Sequence, residues 1–335
     1  MPTEEQVREK LEGIIVPGVM RSLVKLNLVR RISINDGKVD IDLASTCLNE
    51  GGQKVVKFKA LDVVRKLPGV EDVKIEFIEA KPQDINEIGG VIAVMSGKGG
   101  VGKSLVAGLV GLSLSRKGYD VGILDADITG PSIPKMFGIT DRPSGSDTGI
   151  MPVLSRGGIE VMSINLLLPN EDDAVIWRGP LIGKAITQFW EEVLWGKLDY
   201  LIVDLPPGTA DAPLTVMQSL PLSGVIIVSS PQELAAMVVR KAVKMAQESM
   251  SIPILGVVEN MSYFILPDTG KKLEIFGKSR AKEMARVAGA PLLGQIPIDS
   301  DLARLCDEGN IEQYHSEILT GFADALLQAI SSRAK

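Results

Sequence analysis

The spacing of apolar residues changes near residue 90. Before that point, Val7, Leu11 and Ile14 recur on one helix face behind Thr3 and Gln6, which fit a capping box. The apolar-patterned stretches 28–34 and 39–44 flank Asn35-Asp-Gly37, a strong hairpin signal. A helical segment around 53–66 and a strand at 73–77 complete the pattern. Together these predict a small α+β domain over residues 1–80. The polar run 81–90 reads as a linker.

From Val91 onward, short apolar runs alternate with longer helical segments. Candidate strands are 91–95, 121–125, 159–163, 199–203, 225–229, 254–259 and 292–296. The expected fold class is α/β, with a mostly parallel sheet and helices on both faces over residues 91–335. Ligands of such sheets bind at the carboxyl ends of the strands, and the motifs that carry chemistry fall there.

Composition narrows the choice. With 335 residues the chain is long enough for two domains. A net charge of −6 argues against a general nucleic-acid coat, so no nucleic-acid partner is expected. The two cysteines, Cys47 and Cys306, suggest reduced thiols in a cytoplasmic protein. The first residues are charged and lack an apolar signal core, and no apolar run reaches spanning length. Stable membrane insertion is therefore not expected. A single histidine, His315, leaves little room for multi-histidine metal sites or His-based triads.

The segment Ser96-Gly-Lys-Gly-Gly-Val-Gly-Lys-Ser104 carries the G-x-x-x-x-G-K-[ST] phosphate-loop pattern. Backbone N–H groups of Gly97, Lys98, Gly99, Gly100, Val101 and Gly102 are placed to cradle phosphates. Lys103 reaches their β/γ oxygens and Ser104 holds Mg²⁺. The apolar run 91–95 precedes the loop, and helix formers without proline follow it to Arg116. Lys98 is a second cation that the loop itself does not need, which hints at a second subunit.

Two more motifs follow in order. Gly122-Ile-Leu-Asp-Ala-Asp127 ends an apolar run with two carboxylates. Asp125 is expected near the Mg²⁺ shell and Asp127 at the attacking water. Asp199-Tyr-Leu-Ile-Val-Asp-Leu-Pro-Pro-Gly208 resembles a Walker B strand, with Asp204 meeting Mg²⁺ through water. Pro206, Pro207 and Gly208 then form a turn suited to sensing the γ-phosphate.

With these residues in place, the chain resembles the Mrp family, the iron–sulfur-cluster carrier ATPases of the ParA/MinD-type P-loop class. The likeness also rests on Asp125-Ala-Asp-Ile-Thr-Gly-Pro-Ser132, Trp177-Arg-Gly-Pro180, Trp195-Gly-Lys-Leu-Asp-Tyr200, Ser230-Pro-Gln-Glu233, Val258-Glu-Asn-Met-Ser262 and Ile275-Phe-Gly277. It implies an ATP-hydrolysing homodimer that serves apoprotein clients or cluster-assembly proteins. It also implies that Lys98 reaches the partner's nucleotide. Asn260 resembles the asparagine at the adenine edge, and Gln295-Ile-Pro297-Ile-Asp299 resembles a loop near the base. Without the resemblance, Asn260 reads as a polar cap after a buried strand.

The chain departs from that family where a cluster is usually held. Leu266 and Thr269 stand at the positions of a C-x-x-C pair that precedes Ile-Phe-Gly. Leucine cannot ligate iron, and a threonine hydroxyl is a poor substitute for thiolate. An iron–sulfur cluster is thus left open as a cofactor beside ATP and Mg²⁺. Cys47 matches a cysteine often found in the fused small domain, and Cys306 reads as a buried helical thiol. Leu105, Ala210 and Val238 replace a threonine, a glycine and an aspartate respectively, and slow hydrolysis is expected. Two readings follow: a cluster carrier that has lost its usual site, or an ATP-gated scaffold that carries none. A third, membrane docking through the stripe Ile318, Phe322, Leu326 and Ala329 or Ile330, is opposed by a tail whose nearby cations are only Arg333 and Lys335.

Overall fold

A computed structural model describes residues 1–17, 19–127, 130–167, 179–232 and 235–332. The chain divides into two compact units. The first comprises Met1–Ile88, Arg142–Val153 and Gln188–Leu198, and the second comprises the remainder.

In the first unit, Thr3 caps helix Glu4–Glu12 and Gln6 reciprocates, completing the capping box. Strands Val29–Asn35 and Lys38–Ala44 pair antiparallel around Asp36 and Gly37. Both turn residues take positive φ (45° and 79°), as the tight primed turn requires. Strand Asp72–Ile78 joins Lys38–Ala44 in parallel across helix Glu50–Arg65. Its core includes Val7, Leu11, Ile41, Leu43, Val56 and Val64, and also Met151 and Leu194 from far along the chain. The last two enter on segments that pair with each other, since Leu194 N donates to Ile150 O at 2.8 Å. Residues 81–90, read as linker, instead contain a helical turn, Pro82–Ile85, and the start of strand Glu87–Ser96.

The second unit is built on an eight-stranded sheet. From one edge the strands run Leu292–Gln295, Ile254–Glu259, Gly224–Ser229, Glu87–Ser96, Lys197–Asp204, Val121–Asp125, Glu160–Ser163 and Val153–Leu154. Each of the first seven corresponds to a strand expected from the sequence. Recorded pairings among these seven are parallel. The central strands are buried along their length and apolar on both faces, as a doubly covered sheet demands. Helix Lys103–Arg116 is buried nearly all round. Helix Glu317–Ser331 buries Leu319, Phe322, Ala323, Leu326 and Ala329, so Phe322, Leu326 and Ala329 of the terminal apolar stripe are core while Ile318 and Ile330 are half-buried. Among the described residues, no helix is long and apolar enough to cross a membrane. Ile128, Thr129, Trp177, Arg178, Glu233, Arg333 and Lys335 lie outside the described residues.

Candidate nucleotide site

Strand Glu87–Ser96 delivers the chain into the glycine loop, and helix Lys103–Arg116 leaves it. Gly100 and Gly102 both have φ of 76°, a backbone shape that side chains disfavour. A Cβ on Gly99 or Gly100 would meet nothing within 4 Å, so the loop's outer face is an open cradle. At Gly97, by contrast, a Cβ would lie 2.3 Å from Val238 Cγ1 and 2.8 Å from Val238 O. Gly97 therefore permits helix Ala235–Val243 to press against the loop.

Lys103 is 5% exposed and lies among carboxylates. Its Nζ stands 2.6 Å from Asp204 Oδ1 and 3.4 Å from Asp127 Oδ2, and donates to Ser104 Oγ at 3.3 Å. Asp204 is fully buried; burial raises its carboxyl pKa, while Lys103 and a hydrogen bond with Ser104 pull it down. Its second oxygen, Oδ2, is buried without a hydrogen-bond partner. An orphaned carboxylate oxygen beside a serine hydroxyl suits a hydrated divalent cation, so Mg²⁺ fits these residues.

Asp125 is differently employed. Its Oδ2 accepts from Ser132 N and Ile133 N at 3.1 Å each, and from Ser163 Oγ at 3.5 Å. Its Oδ1 accepts from Asp127 N at 3.3 Å. Burial first, and then the nearby Asp204 charge, push its pKa well above the usual carboxylate range. The carboxyl group brackets the loop after its strand, in contrast to Asp204 with its free oxygen.

Asn260 is 2% exposed and donates from Nδ2 to Val101 O at 2.9 Å. A Cβ on Gly102 would lie 2.1 Å from that amide nitrogen. Asn260 and the phosphate loop are thus in direct contact. Pro297 is buried. Asp299 caps helix Ser300–Asp307 through Oδ1, and its Oδ2 accepts from Tyr314 OH at 3.0 Å. Both oxygens of Asp299 therefore hold the shape of its own loop. Lys98 Nζ donates to Gln232 Oε1, and Gly208 N donates to Ser96 O at 3.0 Å, tying the Pro206–Gly208 turn to the loop's first residue.

Sequence reasoning assigned no role to Glu259 or Gln232. Glu259 is fully buried. Its Oε2 accepts from Ser262 Oγ, from Ser279 Oγ at 2.7 Å and from Gln295 Nε2 at 2.9 Å; its Oε1 accepts from Arg280 N at 2.7 Å. The available signal was a glutamate ending the otherwise apolar strand Ile254–Glu259.

The two thiols are poor metal ligands as they stand. Cys47 is 7% exposed, with φ of 59°, and burial pushes its pKa to about 12. Its N–H donates to Thr148 Oγ1 at 2.9 Å. Cys306 is half-buried on helix Ser300–Asp307, less enclosed than expected, with its pKa raised to about 11 by burial and then Asp307. Leu266 and Thr269 are exposed around a small hairpin, Phe264–Ile265 against Lys272–Leu273. The chain's own residues at these places do not fit an iron–sulfur cluster.

A buried lysine shared between strand-end carboxylates, beneath an open glycine loop at the carboxyl edge of a parallel sheet, defines the P-loop NTPase class. The ParA profile, described as NUBPL iron-transfer P-loop NTPase, matches residues 87–331, and that of the iron–sulfur cluster assembly protein matches 4–77. The iron–sulfur cluster carrier protein of Clostridium perfringens is 46% identical over 68% of this chain and 82% of the relative. That of Synechocystis is 36% identical over 100% of this chain and 99% of the relative. A solved nucleotide-binding protein of Archaeoglobus fulgidus, in complex with ADP and with cobalt found in it, is 49% identical with a TM-score of 0.63, covering 70% of this chain and 92% of that one. The chain belongs to the NUBPL/Mrp-type family of iron–sulfur cluster carrier P-loop NTPases, with an iron–sulfur cluster assembly domain at its N-terminus.

Proposed function

We propose that this chain is an ATP-hydrolysing homodimer whose nucleotide state controls docking of partners in iron–sulfur cluster assembly. The observation that carries the reading is Lys103 suspended between Asp204 and Asp127 beneath an open loop. Loop N–H groups and Lys103 bind the phosphates of ATP, with Lys103 turning from the carboxylates toward the incoming anion. Ser104 and Asp204 would hold Mg²⁺, which supplies charge neutralisation at the β/γ oxygens. Asp127 orients the attacking water, and Asp125 keeps the loop between them in shape. Asn260, with the loop of Pro297 and Asp299, faces the base. Lys98, held by Gln232 in the single chain, moves across the dimer to the partner's nucleotide.

The buried Cys47 and the pair Leu266 and Thr269 favour a gated scaffold over a carrier that holds the cluster by its own thiolates. Lys98→Ala is expected to lose hydrolysis while keeping appreciable nucleotide affinity; unchanged turnover would remove the cross-dimer role. Iron and sulfide analysis after anaerobic reconstitution separates the two cargo readings. Stoichiometric cluster in the wild-type chain, lost in a Cys47→Ser, Cys306→Ser double variant, would restore the carrier.

A further inference from the structure

Helix Glu50–Arg65 turns Val56, Ala60 and Val64 into the core of the first unit. With about 100° of rotation per residue, Phe58 falls at the opposite pole of the helix. There Phe58 is 74% exposed, and Val55, one turn earlier, is 42% exposed. The phenyl ring lies outside the core that this helix builds, so fold stability does not account for it.

Cations surround the ring on a chain that carries −6 overall. Lys54 and Arg65 share its stripe, one turn before it and two turns after, while Lys57 and Lys59 flank it on either side. All four are exposed, and among the described residues none has an ion-pair partner. The carboxylates at the border are already engaged. Asp62 pairs with Lys66 at 2.6 Å, and Glu76, on strand Asp72–Ile78, pairs with Lys74 at 2.7 Å. Single exposed apolar residues are common on protein surfaces. An aromatic ring centred among unpaired cations is instead the layout of an interface anchor and its polar rim.

We infer that this helix face docks an acidic amphipathic helix of a partner protein. Apolar side chains of that helix enclose Phe58 and Val55, and its carboxylates meet Lys54, Lys57, Lys59 and Arg65. The partner must be negative, because a neutral surface would cover these cations without compensating them. A bilayer is a poorer occupant, since membrane binding grows with the apolar area buried and this helix has already committed its apolar face to the core. The contact lies wholly on the first unit and is measured without nucleotide. Its failure would leave the reading at Lys103 and Lys98 untouched.

The probe is a fluorescein-labelled helical peptide of about twenty residues, with leucine along one face and glutamate and alanine elsewhere. It is titrated with the nucleotide-free full chain in fluorescence anisotropy. Binding is expected to be tighter than that of the same peptide with lysine in place of glutamate. Phe58→Ala is expected to weaken it at least about tenfold. Alanine is the better helix former, so the melting temperature should not fall. Lys57→Glu with Lys59→Glu is expected to weaken binding at least about tenfold as well and to reduce its salt dependence. If charge reversal disturbs folding, Lys57→Gln with Lys59→Gln must still weaken it. Equal affinity for the basic peptide, or indifference to Phe58→Ala, overturns the inference. So does tighter binding of a single-stranded oligonucleotide or of phosphatidylserine-containing vesicles through the same residues, or self-association in sedimentation that Phe58→Ala abolishes.

Discussion

The Lys103 ammonium stands 2.6 Å from Asp204 Oδ1, and both side chains are almost completely removed from water. Removing the lysine strands the Asp204 carboxylate, whereas removing that charge as well leaves only the weaker contact with Asp127, at 3.4 Å, undone. Lys103→Met is expected to cost roughly 3 kcal/mol of stability, and adding Asp204→Asn should recover most of it. Urea midpoints of the two variants check this. No recovery would mean that Lys103 stabilises the fold through packing alone.

Gly97 and Val238 are packed closer than any side chain at residue 97 would allow. Gly97→Ala should cost about 1–3 kcal/mol through overpacking. Val238→Ala should rescue only part of that, because the Val238 carbonyl still lies 2.8 Å from the new methyl position. Melting temperatures of the single and double variants test the pairing.

Asn260→Ala removes the amide that holds Val101 O and leaves that buried carbonyl without its partner. Nucleotide affinity should fall about tenfold, the equivalent of one lost buried hydrogen bond. If Asn260 also faces the base, the preference for ATP over GTP should shrink with it. Titration calorimetry with both nucleotides distinguishes a loosened loop from lost base selection.

Cys47 offers a pH-dependent check. A thiol with its pKa pushed to about 12 is ionised to about one part in ten thousand at pH 8, against about a tenth for an unperturbed one. Iodoacetamide should therefore label Cys47 at least about a hundredfold more slowly in the native chain than after denaturation. Labelling should accelerate with rising pH up to about 12. Rapid native labelling at pH 8 would show a reactive thiolate and reopen its role in cluster chemistry.

The sheet was legible because its strands are buried on both faces and appear as unbroken apolar runs. Short pieces such as Val153–Leu154 and Phe264–Ile265 were not, since their pairing depends on neighbours far along the chain. Met151 and Leu194 belong to the core of the first unit for the same reason; nothing local marks them. The loop from Gly97 to Ser104 was readable because phosphate binding fixes its spacing. Gln232 lies 134 residues from Lys98, and only folding brings them together.

Glu259 fastens both ends of an excursion in the chain, holding Ser262 at its start and Ser279 with Arg280 N at its end. What lies between is in effect an interchangeable cartridge clipped to a fixed socket. The adjoining Asn260 keeps its grip on the phosphate loop whatever the cartridge contains. Phe264 also pairs with Ile298 of the adjoining loop, so replacing only 265–272 with an unrelated hairpin of equal length should leave nucleotide affinity intact. A chain of this design can vary the hairpin without disturbing the groups that hold the phosphate loop.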